Sequence, residues 1–271
     1  HLYLNRVLGI HGDDMDVTAA GTNHFTWILD LRRKSTGENL YPFMKERLAQ
    51  IDSDEQALSR KLLEVYGYFN GCLDDHFGEY IPYAYEYCGL DGIDFGGRLE
   101  QEEKRWQYLR DLAESKTEWD KYEQVLGDQA VFSEELRLDD FFAPRSWADT
   151  LAFPIIAAML SHKLHRLPAV NMLNNGAITN LPGDVFVETP AVVDASGVRL
   201  ECMGDLPLPL AAFCRRDVDQ MELTVEAGVK GDRNLVLQAM LLDPVVDSVA
   251  VAERVLDEMM EIHAPYLPQF S

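Results

Sequence analysis

Between residues 74 and 82 the chain reads Asp74-Asp75-His76-Phe77-Gly78-Glu79-Tyr80-Ile81-Pro82, placing three carboxylates, an imidazole and a phenol within seven residues. Groups of this kind move protons or hold hard cations. They also make plain capped turns, because Asp side chains bond nearby backbone, and the residues alone leave both uses open. A second stretch, Ala20-Gly21-Thr22-Asn23-His24-Phe25, sets a histidine at the mouth of an apolar strand after a glycine turn. Taken alone, His24 reads more readily as a hydrogen-bonded core histidine than as a ligand.

Other patterns carry less. His162 and His165 are three apart near an expected helix end, a spacing open to metal. Their neighbours Lys163 and Arg166 disfavour a cation, so partnership with the helix C-terminus is the better use. Gly89 to Gly97 is glycine-rich but follows no strand and lacks the G-x-G-x-x-G order, so it reads as a turn. Cys72, Cys88, Cys202 and Cys214 show no CxxC spacing. In a chain with a full-sized core they read as reduced thiols.

The elements that must position these groups are mixed, with helix in excess. Residues 15–33 read as strand with a turn at Gly21. Ser53-Asp54-Glu55-Gln56 forms a capping box ahead of Ala57, Leu58, Leu62, Val65 and Phe69, which predicts a helix to about Asn70. Residues 73–97 show no clean period, and residues 99–126 read as one or two charged surface helices. Ser146 caps a further helix through Leu160, with Pro154 placed to kink it. Then Ala169 to Leu173 reads as a strand, Asn174-Asn175-Gly176 as a turn, and Asp194-Ala195-Ser196-Gly197 as a hairpin loop. Helices at 208–229, 232–242 and 248–263 finish the chain. With no repeat and no low-complexity linker, one domain is the economical organisation.

Composition narrows the function classes. The 271 residues hold 24 Lys+Arg against 46 Asp+Glu, a formal charge of −22. Such a field repels phosphate backbones, which argues against a nucleic-acid partner. No apolar run reaches the roughly 20 residues of a spanning helix, which argues against a membrane protein. A soluble, cytoplasmic protein is expected.

In series, several stretches resemble family 4 glycoside hydrolases: GTNHFTW at 21–27, DDHFGEYIP at 74–82, PRSWADTLAFPIIAAM at 144–159, VNMLNNGAITNLPGDVFVETPAVVDASG at 170–197 and ELTVEAGVKGDRNLVLQAMLLDP at 222–244. Their order agrees over nearly the whole chain, and their texture is nearest the α-glucosidase and α-galacturonidase branch. The resemblance implies an α+β fold like the C-terminal domain of lactate and malate dehydrogenases. It also implies hydrolysis of O-glycosidic bonds with NAD⁺ and a divalent metal, Mn²⁺. In that scheme the sugar is oxidised at C3, a base removes the C2 proton, and the glycosidic oxygen is eliminated before water adds and the ketone is re-reduced. The two-carboxylate rule for glycosidases does not apply to this family.

Residue by residue, the resemblance makes His24 the metal's histidine ligand, Tyr80 the base at C2, and Asp75 a carboxylate beside the metal or sugar. Asn23, His76 and Arg145 would hold substrate hydroxyls or a charged substituent. A tyrosine base needs its pKa lowered, which a nearby cation does. The family's glycine fingerprint and Cys-His pair do not occur, and the chain starts at His1. Residues 1–271 are therefore expected to be the C-terminal substrate and metal portion, with the first 20 or so closing a missing NAD-binding domain. A homo-oligomer, dimer or tetramer, is expected with a small carbohydrate as substrate. The alternative is a non-catalytic module that binds a sugar or a partner without turnover.

Overall fold

The computed structural model describes residues 2–51, 55–88, 99–100, 102–104, 106–107, 110 and 152–270. The chain divides into two compact units. One comprises His1–Gly92, Arg166–Ala191 and Arg199–Ser271, and the other Ile93–His165 and Val192–Val198. The charged helices expected at 99–126 and the Ser146 cap lie largely or wholly outside the described residues. What is described of the second unit includes α6 (Ala152–Ser161), which contains Pro154; the expected start of that helix lies outside the described residues.

The first unit opens with α1 (Leu2–Leu8), followed by the long antiparallel pair β1 (Met15–Thr22) and β2 (Phe25–Arg33). Next come α2 (Tyr41–Ala49), α3 (Ala57–Tyr66), the short β3 (Phe69–Asn70), α4 (Asp74–Phe77) and α5 (Tyr85–Cys88). After α6 the chain forms β4 (His165–Leu173), β5 (Phe186–Asp194) and β6 (Gly197–Leu200), then α7 (Leu208–Lys230), α8 (Arg233–Leu242) and α9 (Val249–His263). The strands line up as β3-β2-β1-β5-β4, with β6 on β5. Mixed helix and largely antiparallel sheet is the α+β class expected.

One bulge in the long hairpin decides what each face buries. Thr18 pairs with Asp30 and Ala19 with Ile28, which leaves Leu29 without an opposite number. An extra residue flips the alternation beyond it. Phe25 and Trp27 therefore join one apolar cluster, with Leu58, Leu62, Phe77, Leu210 and Cys214. Ile28 and Leu31 join the other, with Leu4, Leu8, Met44 and Leu48. Phe25 and Trp27 are almost wholly buried, a gain of roughly 1.5–3 kcal/mol for each such side chain. The first cluster is the floor beneath the candidate site.

Two sequence expectations are corrected here. The hairpin turn falls at Asn23-His24, because Thr22 and Phe25 are the last pair in register. Gly21 is instead a close-approach residue within β1, since a Cβ there would lie 1.9 Å from the Phe25 carbonyl oxygen. The helix predicted to about Asn70 stops at Tyr66, where Gly67 takes a left-handed conformation (φ 82°) and returns its N–H to the Leu63 carbonyl. Residues 69–70 go to the sheet instead, pairing with Trp27 and Ile28. The N-terminal end of α3 is capped from far away: the Leu58 and Ser59 amides donate to the Asp74 carboxylate at 2.7 and 2.9 Å. Ser53 and Asp54, the first half of the expected capping box, lie outside the described residues. Expectation and structure agree at the C-terminal helices, where Asp232 caps α8 and Ser248 caps α9.

Candidate active site

Two turns meet over the Phe25 face of the sheet. The first joins β1 to β2 in two residues. His24 sits there at φ 71°, a region that His, Asn and Asp occupy more easily than most side chains. The Asn23 side-chain oxygen accepts the His24 N–H at 3.1 Å, which fixes the turn locally. The second is α4 followed by a 3-10 turn, Gly78–Tyr80. Phe77 anchors it by burying its ring edge-on against Phe25 at 5.4 Å and Trp27 at 5.7 Å.

These anchors bring three of the predicted residues into ring contact. His24 lies over Tyr80 with centroids 4.6 Å apart and planes 29° apart, and it meets His76 edge-on at 4.4 Å. His76 and Tyr80 are 6.0 Å apart. The His76 Nδ1 is also 3.4 Å from a Glu79 carboxylate oxygen. Asn23 stands at the same turn. Asp75 belongs to α4, but its side chain lies outside the described residues, as does the whole of Arg145.

Burial, then the His76 charge, push the His24 imidazole below its ordinary pKa, while Glu79 and Glu188 pull the other way. His24 is thus held in the neutral form that binds metals. Its Nδ1 is buried and has no hydrogen-bond partner among the described residues. That is unlike the hydrogen-bonded core histidine of the blander expectation. The Tyr80 phenol moves opposite to what a base needs. Burial raises its pKa first, and Glu79 and Asp217 raise it further. Without a cation close by, Tyr80 holds its proton at neutral pH.

Asn23 and His24 open on a cavity of 240 Å³ whose lining includes Thr26, Cys72 and Glu188. Glu188 is fixed there by the Thr26 hydroxyl (3.1 Å) and the Asn171 side-chain amide (3.3 Å). Sequence reasoning passed over Glu188, a polar position in an alternating strand. It passed over Arg216 and Asp217 as well, which look like two of many helix charges. Asp217 is buried and accepts the Thr22 hydroxyl at 2.9 Å, just before the His24 turn. No group of three or more His, Cys, Asp or Glu side chains placed to hold a metal occurs among the described residues, His162 and His165 included. Cys202 and Cys214 are free thiols.

Comparison with known proteins adds to this geometry. Residues 19–246 match the family described as Family 4 glycosyl hydrolase C-terminal domain. An α-galactosidase of Rhizobium meliloti is 28% identical over 98% of this chain and 53% of its own length. An α-galacturonidase of Bacillus subtilis is 26% identical over 92% of this chain and 54% of its own. The chain thus spans about half the length of these relatives. Among solved structures, a 6-phospho-β-glucosidase from Thermotoga maritima, in a form with manganese, NAD⁺ and glucose-6-phosphate, superposes with a TM-score of 0.68. It is 19% identical over 98% of this chain and 57% of its own length, a likeness of fold. With the family match covering most of its length, the chain belongs to the family 4 glycosyl hydrolases, whose C-terminal domain it carries.

Proposed function

We propose that this chain is the substrate- and metal-binding portion of a glycosidase that cleaves α-linked sugars, with NAD⁺ and Mn²⁺ as its cofactors. In that reading residues 1–271 follow a dinucleotide-binding half, and the first 20 or so close it. The observation that carries the proposal is the stacked His24–Tyr80 pair with a neutral imidazole whose buried Nδ1 is unpartnered among the described residues. The α-galactosidase and α-galacturonidase relatives support an α-linked substrate. A neutral sugar or a uronide both fit that support.

The residues present fit a metal, though with few ligands. The orphaned His24 nitrogen is the donor this chain offers, and the remaining positions would fall to the other half and to the sugar. The sequence holds no G-x-G-x-x-G order to cradle the dinucleotide. When bound, Mn²⁺ supplies a Lewis acid for sugar oxygens and NAD⁺ a reversible hydride acceptor. Tyr80 takes the proton from sugar C2, with its ring held against Phe25 and His24. His76 and Asn23 orient sugar hydroxyls from the two turns, and Asp75 and Arg145 belong to the same set. A cytoplasmic setting suits the free thiols of Cys202 and Cys214. A homo-oligomer suits the exposed apolar row Val251, Val255, Met259 and Ile262 on α9. No helix among the described residues is long and apolar enough to cross a membrane.

One observation favours the non-catalytic module: the raised pKa of Tyr80. Turnover in D₂O separates the two. The protein extended upstream of His1, given NAD⁺, Mn²⁺ and nitrophenyl α-glycosides, should release sugar carrying deuterium at C2. Release without C2 label would refute the proton abstraction, and no release on any α-glycoside would favour the module. The 271-residue chain by itself should be inactive and bind NAD⁺ weakly.

A further inference from the structure

His24 and Tyr80 reach each other from segments more than fifty residues apart in sequence, and one turn of α7 touches both. On the His24 side, Asp217 accepts the Thr22 hydroxyl at 2.9 Å and the Cys214 thiol donates to the Phe25 carbonyl at 3.5 Å. These two bonds fall on either side of the Asn23-His24 turn. On the Tyr80 side, the Arg216 guanidinium donates from Nη2 to the Tyr80 carbonyl at 3.2 Å. The same guanidinium lies over the Phe25 ring, 5.8 Å from its centroid, and over Phe213 at 5.7 Å. Phe213 in turn stacks on Phe25 at 5.7 Å.

This is an unusual use of an arginine. Among the described residues no carboxylate lies within ion-pair distance of it. A half-buried cation with five donors is held by a backbone carbonyl and two aromatic rings, with the Asp243 and Asp217 charges acting from farther off. Arg216 thus joins the two turns directly, with its guanidinium over the ring of the residue after His24 and its hydrogen bond on Tyr80 itself.

We propose that Arg216 is the positioning residue that sets the Tyr80 phenol against His24. The claim rests on the reading that this pair is the reacting site, and it adds what holds the pair in register. Reacting groups are sensitive to such support, since a misplacement of about 1 Å can cost about 10²-fold in rate. The Gly78–Tyr80 turn has no ladder of its own to restore its place.

The test is a cycle in the complete enzyme with Arg216→Met, Arg216→Lys, Tyr80→Phe and the Arg216→Met/Tyr80→Phe double variant. Arg216→Met should lower kcat by about 10- to 100-fold, with KM and Mn²⁺ affinity within a few-fold of wild type. Arg216→Lys should recover part of the loss, because an ammonium can still reach the carbonyl but lacks the planar, delocalised guanidinium that contacts both rings. In the Tyr80→Phe background Arg216→Met should add little, since both changes remove the same function. The His24 ring-proton resonances, shifted in wild type by the Tyr80 ring current, should move toward ordinary values in Arg216→Met.

Equal kcat losses with and without the Tyr80 hydroxyl would overturn the proposal, as would unchanged His24 resonances in a folded variant. Should Arg216→Met fail to fold, the Lys variant reads the same two quantities. A Tyr80→Phe enzyme that kept its kcat would defeat the base assignment itself. The positional claim would then stand or fall on the His24 resonances.

Discussion

The two turns of the candidate site are built in different ways. His24 sits in a two-residue turn whose flanks, Thr22 and Phe25, face each other in register at the end of a long antiparallel pair. Gly21 lets the chains close there, with no room for a Cβ beside the Phe25 carbonyl. Tyr80 ends a 3-10 turn held at one end by the Asp74 carboxylate on the α3 amides and at the other by Arg216 on its carbonyl. The metal-ligand candidate therefore rides on the sheet, while the candidate base rides on a segment tied by Asp74 to the α3 amides and by the Arg216 side chain to α7. Loss of one distant side chain should disturb Tyr80 and leave His24 in place. The reverse requires damage to the hairpin.

The largest expected effect strikes the chemistry and neither support. In the complete enzyme Tyr80→Phe should lower kcat by about 10²–10⁴-fold, with substrate affinity by calorimetry within a few-fold of wild type. A kcat close to wild type would move the base role to Asp75.

Next comes the hairpin. Gly21→Ala must push the Phe25 carbonyl aside, a backbone displacement that costs about 1–3 kcal/mol or more. Denaturant unfolding should show that loss, and Mn²⁺ response should fall along with activity because His24 moves. Preserved Mn²⁺ response in this variant would break the comparison.

Removing the distant cap should do less. Asp74→Ala takes away the partner of the Leu58 and Ser59 amides at the start of α3, and loss of a cap costs about 0.5–2 kcal/mol. Activity should drop by more than that stability loss suggests, while Mn²⁺ affinity stays near wild type. Equal loss of both would mean the two turns are not held separately.

The smallest effect is a pH slope. Burial raises the Asp217 pKa, so the folded chain binds this proton more tightly than the unfolded chain. Its contribution is complete at acid pH and is lost as pH rises from the ordinary carboxylate range through the raised value. Thermal melts across that window should fall less steeply with pH in Asp217→Asn than in wild type. Parallel slopes would remove Asp217 from the list of buried titrating groups.

The difference between the turns also explains how much was legible in the sequence. The hairpin, the strands after residue 165 and the capped C-terminal helices are written in local signals, alternation, a glycine, Asp232 and Ser248. Their edges were legible to within a few residues. The turn was placed two residues early because a glycine needed for close approach looks like a glycine needed for a turn. The end of α3 was misjudged because its apolar tail, Phe69, belongs to the sheet, and the Asp74 carboxylate that meets its first amides comes from a later segment. Asn23, His24, His76 and Tyr80 could be named from motif resemblance, and they share one site. Glu188, Arg216 and Asp217 could not, because their roles exist only after β5 and α7 pack beside the hairpin.

The central claim is that His24 is a metal ligand and not a core residue, and one variant tests it most directly. In the complete enzyme, Mn²⁺ activation and thermal melts should be measured together on His24→Ala. The account predicts that activation by Mn²⁺ disappears while the melting temperature changes little, since the buried Nδ1 has no partner to lose among the described residues. A large drop in melting temperature with the Mn²⁺ response intact would contradict it.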